Sequence, residues 1–116
     1  MILIGYKKCS TCRKTEKFLE EAGVEFVYRE IDKDNPSVEE LKKWHEISGL
    51  DIKKFFNTSG IIYREKKLKD KLPNLSLEEK YELLATDGKL VKRPILLDGE
   101  KIYVGKDAVN FAEETT

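Results

Sequence analysis

Ile2-Leu3-Ile4-Gly5-Tyr6-Lys7-Lys8-Cys9-Ser10-Thr11-Cys12-Arg13-Lys14 is the stretch that decides the fold. Its apolar run reads as a buried strand over Ile2 to Tyr6. Apolar or small residues then recur with helical spacing at Thr15, Phe18, Leu19 and Ala22, and Gly23 stops the helix. Cys9 therefore falls where a strand ends and a helix begins. Unpaired backbone N–H groups and the positive end of the helix dipole favour thiolate over thiol at such a place. Lys7, Lys8, Arg13 and Lys14 add positive charge, and Lys8 and Arg13 are expected to lower the Cys9 pKa and to face a substrate. Two thiols spaced this way can close a small disulfide or attack one. Cys9 is expected to be exposed and to attack; Cys12, one turn into the helix, is expected to be more buried and to resolve the mixed disulfide. The competing reading, two incidental cysteines in a helix, explains neither the junction nor the flanking charge.

Working outward, Val24 to Ile31 carries strand signals and completes a strand–helix–strand unit, which implies two parallel strands. Asn35-Pro36-Ser37 opens a second helix, with Ser37 and Glu40 spaced as a capping box and Leu41, Trp44 and Ile47 on one face before Gly49. Ile52 to Leu68 reads as short helical pieces broken around Asn57-Thr58-Ser59-Gly60. Ser76 and Glu79 repeat the capping box, and Leu77, Tyr81, Leu84 and Ala85 mark a helix ending near Gly88. Pro94 to Leu97, Asp98-Gly99 and Ile102 to Val104 form a β-hairpin pattern, and a helix over Asp107 to Glu114 follows. The order β-α-β, helices, β-β-α is that of an α/β thioredoxin-like domain: a mixed sheet of about four strands with an all-helical insertion between strands 2 and 3. The expectation is a single domain over residues 1–116, with the insertion roughly at 37–88. Pattern alone does not give the strand order.

Composition is consistent with this reading. The chain has 116 residues, 40% hydrophobic and 38% charged, enough for a core without metal or disulfide staples. Lys plus Arg and Asp plus Glu number 22 each, so no global field recruits nucleic acid or an acidic membrane. No apolar segment is long enough to span a bilayer, and the first residues lack a basic region followed by a long apolar stretch. The expected location is the cytoplasm, where a lone cysteine pair is seldom a structural bridge.

Other candidates weigh less. A structural zinc site needs about four ligands, and only Cys9, Cys12 and His45 are soft or borderline ones, so no metal is expected. Lys92-Arg93-Pro94 precedes the third strand: Arg93 could hold an oxyanion or a carboxylate with its planar fork, and Pro94 permits a cis bond that bares neighbouring backbone groups. A surface arginine before a strand-initiating proline explains the same residues equally well. His45, beside Trp44, fits a partly buried structural histidine. Trp44, Phe55 and Phe56 read as core. Asn57 to Gly60 fits an anion-binding turn or a helix cap, and the runs Arg64 to Lys67 and Lys69 to Lys71 read as solvated faces.

Taken together, Cys9-x-x-Cys12-Arg13-Lys14, Phe55-Phe56-Asn57-Thr58-Ser59-Gly60 with Tyr63, and Arg93-Pro94-Ile95 followed by Val104-Gly105 resemble the arsenate reductase (ArsC)/Spx family over essentially the whole chain. The resemblance implies a thioredoxin-like fold with a helical insertion, and it identifies Cys9 with the family's reactive cysteine. The family holds arsenate reductases, Spx-type transcriptional regulators and ArsC-like thiol reductases. Glutaredoxin-linked arsenate reductases usually lack the second cysteine and hold the oxyanion with three arginines. Here Arg93 matches one, Asn57 stands where another is expected, and none appears near Val104-Gly105. Their histidine before the reactive cysteine is also missing. Spx-type regulators keep a Cys-x-x-Cys switch and bind RNA polymerase through its α subunit, but they generally continue beyond the last helix. The resemblance therefore favours a cytosolic thiol–disulfide oxidoreductase with a redox-active Cys9–Cys12 disulfide. Cys9, Cys12 and Arg93 would be catalytic, and Lys8, Arg13, Asn57 and Pro94 would contact substrate. It implies no bound cofactor, reducing equivalents from glutathione/glutaredoxin or thioredoxin, a protein or small-molecule disulfide as substrate, and neither nucleic acid nor membrane as a direct partner. A regulator contacting RNA polymerase and an arsenate reductase are the alternatives.

Overall fold

In the computed structural model, which describes residues 1–115, Ile2–Gly5 forms β1 of a four-stranded sheet ordered β2-β1-β3-β4. The other strands are β2 (Val27–Glu30), β3 (Ile95–Asp98) and β4 (Lys101–Val104). The helices are α1 (Ser10–Glu21), α2 (Val38–Ser48), α3 (Ile61–Glu65), α4 (Leu68–Lys71), α5 (Leu77–Thr86) and α6 (Lys106–Glu114). The mixed α/β class is the expected one. Contacts group the chain into two units: residues 1–31 with the chain from Arg93 onward, and Asp32–Lys92.

The first unit contains the sheet. β1 runs parallel to β2, pairing Leu3 with Tyr28 and Gly5 with Glu30, and antiparallel to β3, pairing Leu3 with Leu96 and Ile4 with Ile95. β3 and β4 form the hairpin, turning through Asp98-Gly99 with Gly99 at φ +62°. Strand side chains alternate between faces. Leu3 and Leu96 share one face and pack with Leu19 of α1 and with Ala108 and Ala112 of α6, all fully buried. The small alanines let α6 approach closely, and Phe111 stacks on Tyr103 at 4.3 Å between ring centroids. Ile4 and Ile95, on the opposite face, are also fully buried, which is why β1 reads as a continuous apolar run.

Two boundaries differ from the pattern. Gly23, at φ +71°, closes α1 in a Schellman motif: its N–H donates to Glu20 O and that of Val24 to Leu19 O, both at 3.1 Å. Val24 is thus spent on the helix end, and β2 starts three residues later than expected. At the other edge, the Tyr6 carbonyl turns out of the ladder to accept the Cys9 N–H at 2.9 Å, so β1 ends at Gly5.

The second unit is helical. Ser37 and Ser76 both complete capping boxes, each hydroxyl accepting from the backbone three residues on while that glutamate accepts in return. α2 packs on α5; His45 Nδ1 lies 2.6 Å from Tyr81 Oη, and the His45 ring meets Phe55 edge-on. Single 3-10 turns at Ile52–Phe55, Leu72–Asn74 and Gly88–Leu90 break up the remainder. Trp44, Phe55 and Phe56 are core, as expected. Ile47 and Leu77 are not, at 44% and 46% exposed. Residues three apart drift about 60° around a helix per step, so Ile47 has rotated well off the stripe that Leu41 begins. Leu77 lies on its stripe but at the first helical position, past the core that Tyr81 and Leu84 fill.

Candidate active site

Cys9 is the N-cap of α1, with extended backbone (φ −87°, ψ 118°). Its Sγ accepts the Cys12 backbone N–H at 3.4 Å, and its carbonyl begins the helix by accepting the Arg13 N–H at 3.1 Å. A sulfur thus stands where an N-cap oxygen normally would, facing the free N–H groups and the positive end of the dipole. Cys9 is half-buried and Cys12 is fully buried; both are free thiols.

The two sulfurs have opposite acidities. The Cys9 thiol is drawn down to about 5, chiefly because the Cys12 thiol donates to it, against the opposing effect of burial. The Cys12 backbone N–H and the positive Arg93 guanidinium help. Cys12 is held well above the usual thiol range, because as the donor to Cys9 it would lose that bond on ionising, and because it is buried. One proton shared unequally leaves Cys9 as thiolate at neutral pH and Cys12 as thiol.

Arg93 is the cation that counts. It enters from the segment before β3, lies 5.1 Å over the Tyr6 ring, and acts on both cysteines. The sequence instead assigned the electrostatic effect to Lys8 and Arg13; both are exposed, and the largest cationic effect on Cys9 comes from Arg93, not from these chain neighbours. Pro94 is buried after a cis Arg93–Pro94 bond, its carbonyl accepting the Gly105 N–H at 2.8 Å. Cys9, Cys12, Arg93 and Pro94 therefore belong to one unit. Asn57 belongs to the helical unit, where its N–H donates to Leu90 O at 2.7 Å and its side-chain amide to Lys89 O at 3.4 Å.

Two residues escaped the sequence reading. A Cβ on Gly5 would stand 2.7 Å from Tyr28 Oη, 3.1 Å from Cys12 Cβ and 3.3 Å from Cys12 Sγ. Glycine at this position lets the Cys12 side chain and the Tyr28 hydroxyl approach the β1 backbone. The available signal was the lone glycine ending an otherwise Ile-Leu-Ile strand, which marks a close approach. Among the described residues no group of three or more His, Cys, Asp or Glu side chains is placed to hold a metal ion, and no helix is long and apolar enough to cross a membrane.

A parallel-plus-hairpin sheet flanked by α1 and α6, with a cysteine pair at the N-terminus of α1, defines a thioredoxin-like protein with a helical insertion. The chain belongs to the ArsC family, whose model matches residues 4–113. It is 56% identical over 108 residues to the uncharacterized protein YusI of Bacillus subtilis (strain 168), covering 93% of this chain and 92% of that one. It is 32% identical over 101 residues to the regulatory protein MgsR of the same organism, covering 87% and 79%. Among solved structures, an ArsC family related protein from Bacteroides fragilis superposes with a TM-score of 0.90 at 48% identity, covering 99% of this chain and 96% of that one.

Proposed function

We propose that the protein is a cytosolic thiol–disulfide oxidoreductase in which Cys9 attacks and Cys12 resolves. The observation that carries this reading is the unequal pair: a half-exposed Cys9 drawn down to about 5 beside a fully buried Cys12 held up. Cys9 thiolate attacks a substrate disulfide, forming a Cys9–substrate bond as the substrate's own S–S bond breaks and one of its sulfurs leaves as thiolate. Cys12 then loses its proton, which the released thiolate can take, and attacks Cys9 Sγ. The second substrate sulfur leaves and a Cys9–Cys12 disulfide remains. The substrate has gained two electrons and the pair has lost them. Glutathione/glutaredoxin or thioredoxin, each a thiol donor, returns them, and the residues need no bound cofactor for this. Arg93 draws an anionic or carbonyl-rich partner toward Cys9, and Pro94 sets the chain beside it. Lys8 and Arg13, exposed around the same helix start, extend the positive approach.

The test is a trap. A Cys12→Ser variant should accumulate proteins or glutathione disulfide-linked to Cys9, which wild type releases. A Cys9 that titrates near its free value of about 8.5, with no adducts and no disulfide exchange, overturns the proposal.

A redox-switched regulator contacting the RNA polymerase α subunit is the second reading, supported by the identity with the regulatory protein MgsR. Binding to the carboxy-terminal domain of the polymerase α subunit in one oxidation state of the pair and not the other would favour it; binding in neither state would remove it. Arsenate reduction is the third. Asn57, which stands in the sequence where arsenate reductases of the family carry an arginine, brings no charge for a dianion, so arsenate-dependent oxidation of a linked reductant should be slow.

A further inference from the structure

We propose that Tyr28 is a positioning residue of the cysteine pair: its buried hydroxyl, unpartnered while Cys12 is a thiol, donates to the Cys12 sulfur when that sulfur becomes a thiolate. The inference deepens the thiol–disulfide reading and rests on it. Tyr28 Oη is inaccessible to solvent and has no hydrogen-bond partner among the described residues. A buried hydroxyl left unmatched is costly, so a native one has a use that the resting contacts do not reveal. Oη and Cys12 Sγ border the same methyl-sized space, the one that the missing Gly5 Cβ leaves, at 2.7 and 3.3 Å from its centre. The ring is held in place. Lys7 Nζ lies 3.8 Å from its centroid and 3.4 Å from Glu16 Oε2.

The groups that face the hydroxyl keep it a donor. Burial first, then the charges of Cys12, Glu16, Cys9 and Glu30, push the phenol well above its usual value, while the Lys7 ammonium lies over the ring. Tyr28 thus stays protonated at neutral pH and can offer its O–H to a sulfur but not accept a proton from one.

That donor is needed when the disulfide is reduced. In the disulfide, an incoming thiolate attacks Cys9 Sγ. The new S–S bond forms as the Cys9–Cys12 bond breaks, and the electron pair leaves on Cys12, inside the protein. Tyr28 supports that thiolate by hydrogen bonding, without transferring its proton.

Tyr28→Phe removes only the hydroxyl. It should leave the midpoint of Cys9 thiolate absorbance at the wild-type value, because the hydroxyl has no partner among the described residues in the dithiol. It should slow reduction of the Cys9–Cys12 disulfide by dithiothreitol about tenfold, the worth of a hydrogen bond to a charged group. Replacement of Tyr28 by 3-fluorotyrosine, a stronger donor of nearly the same size, should speed that reduction, which a purely structural role would not do. If wild type exchanges disulfides while both variants match it in the rate of that reduction, the inference fails alone. If wild type does not exchange at all, the oxidoreductase reading fails and takes the inference with it.

Discussion

Removing the Cys12 thiol tests the electrostatics of the site most directly, and the magnitude can be worked out beforehand. Cys9 titrates at about 5 against an ordinary value of 9.0, the Cys12 thiol being the largest cause. Near pH 7 an ordinary thiol is about 1% ionised and Cys9 about 99%, but each thiolate also loses nucleophilicity as its pKa falls, by about 40- to 100-fold over this range for disulfide targets. The two effects nearly cancel, so against an aromatic disulfide probe near pH 7 Cys9 should react about as fast as a cysteine in an unstructured peptide. Near pH 5 they do not cancel. Half of Cys9 remains thiolate there against about 0.01% of the peptide thiol, leaving Cys9 faster by about two orders of magnitude. The sign is fixed by the lowered value: the Cys9 rate rises with pH through about 5 and is flat above it. Cys12→Ala should move that inflection upward and erase most of the advantage at acid pH. Stopped-flow release of the probe chromophore from pH 4 to 9 measures both profiles. A wild-type profile with its only inflection above pH 8, or a Cys12→Ala profile that overlays wild type, would refute the reasoning.

Arg93→Met should also raise the Cys9 inflection, by less than Cys12→Ala because its contribution ranks lower, and thiolate absorbance titration gives the order directly. Ser37→Ala and Ser76→Ala should each cost about 1 kcal/mol in urea unfolding by removing a capping-box acceptor, without changing the Cys9 titration. Leu96→Ala, at the centre of the sheet face covered by α1 and α6, should cost about 2–5 kcal/mol; a loss below 1 kcal/mol would mean that this cluster does not hold the sheet unit together.

Most of the architecture was legible because its signals are local. The Ile-Leu-Ile run, the two Ser-x-x-Glu boxes and the Asp98-Gly99 turn each report on neighbours a few residues away, and each lies where its pattern put it. Cys9 was legible for the same reason, since a strand and a helix on either side define a helix N-terminus. What the chain did not reveal is which distant residues meet. Arg93 could be named as a candidate, but sequence gives no distance from Cys9, so the positive field was attributed to the adjacent Lys8 and Arg13. Tyr28 read only as a strand former, because its hydroxyl matters through Gly5 and Cys12, across one strand and into a helix. Ile47 and Leu77 failed where periodicity counts residues but not the extent of the core behind them.

The pairing of Ile4 with Ile95 closes a span of about 90 residues, among the slower events open to a chain of this length. That register is what delivers Arg93 to the cysteine pair. Until it forms, Cys9 lacks the guanidinium and has only the Cys12 thiol and N–H that the start of α1 supplies. The last part of the Cys9 acidity therefore arrives only when residues far apart in the chain have paired, so a final downward step in the thiolate midpoint doubles as a report that β3 has joined β1.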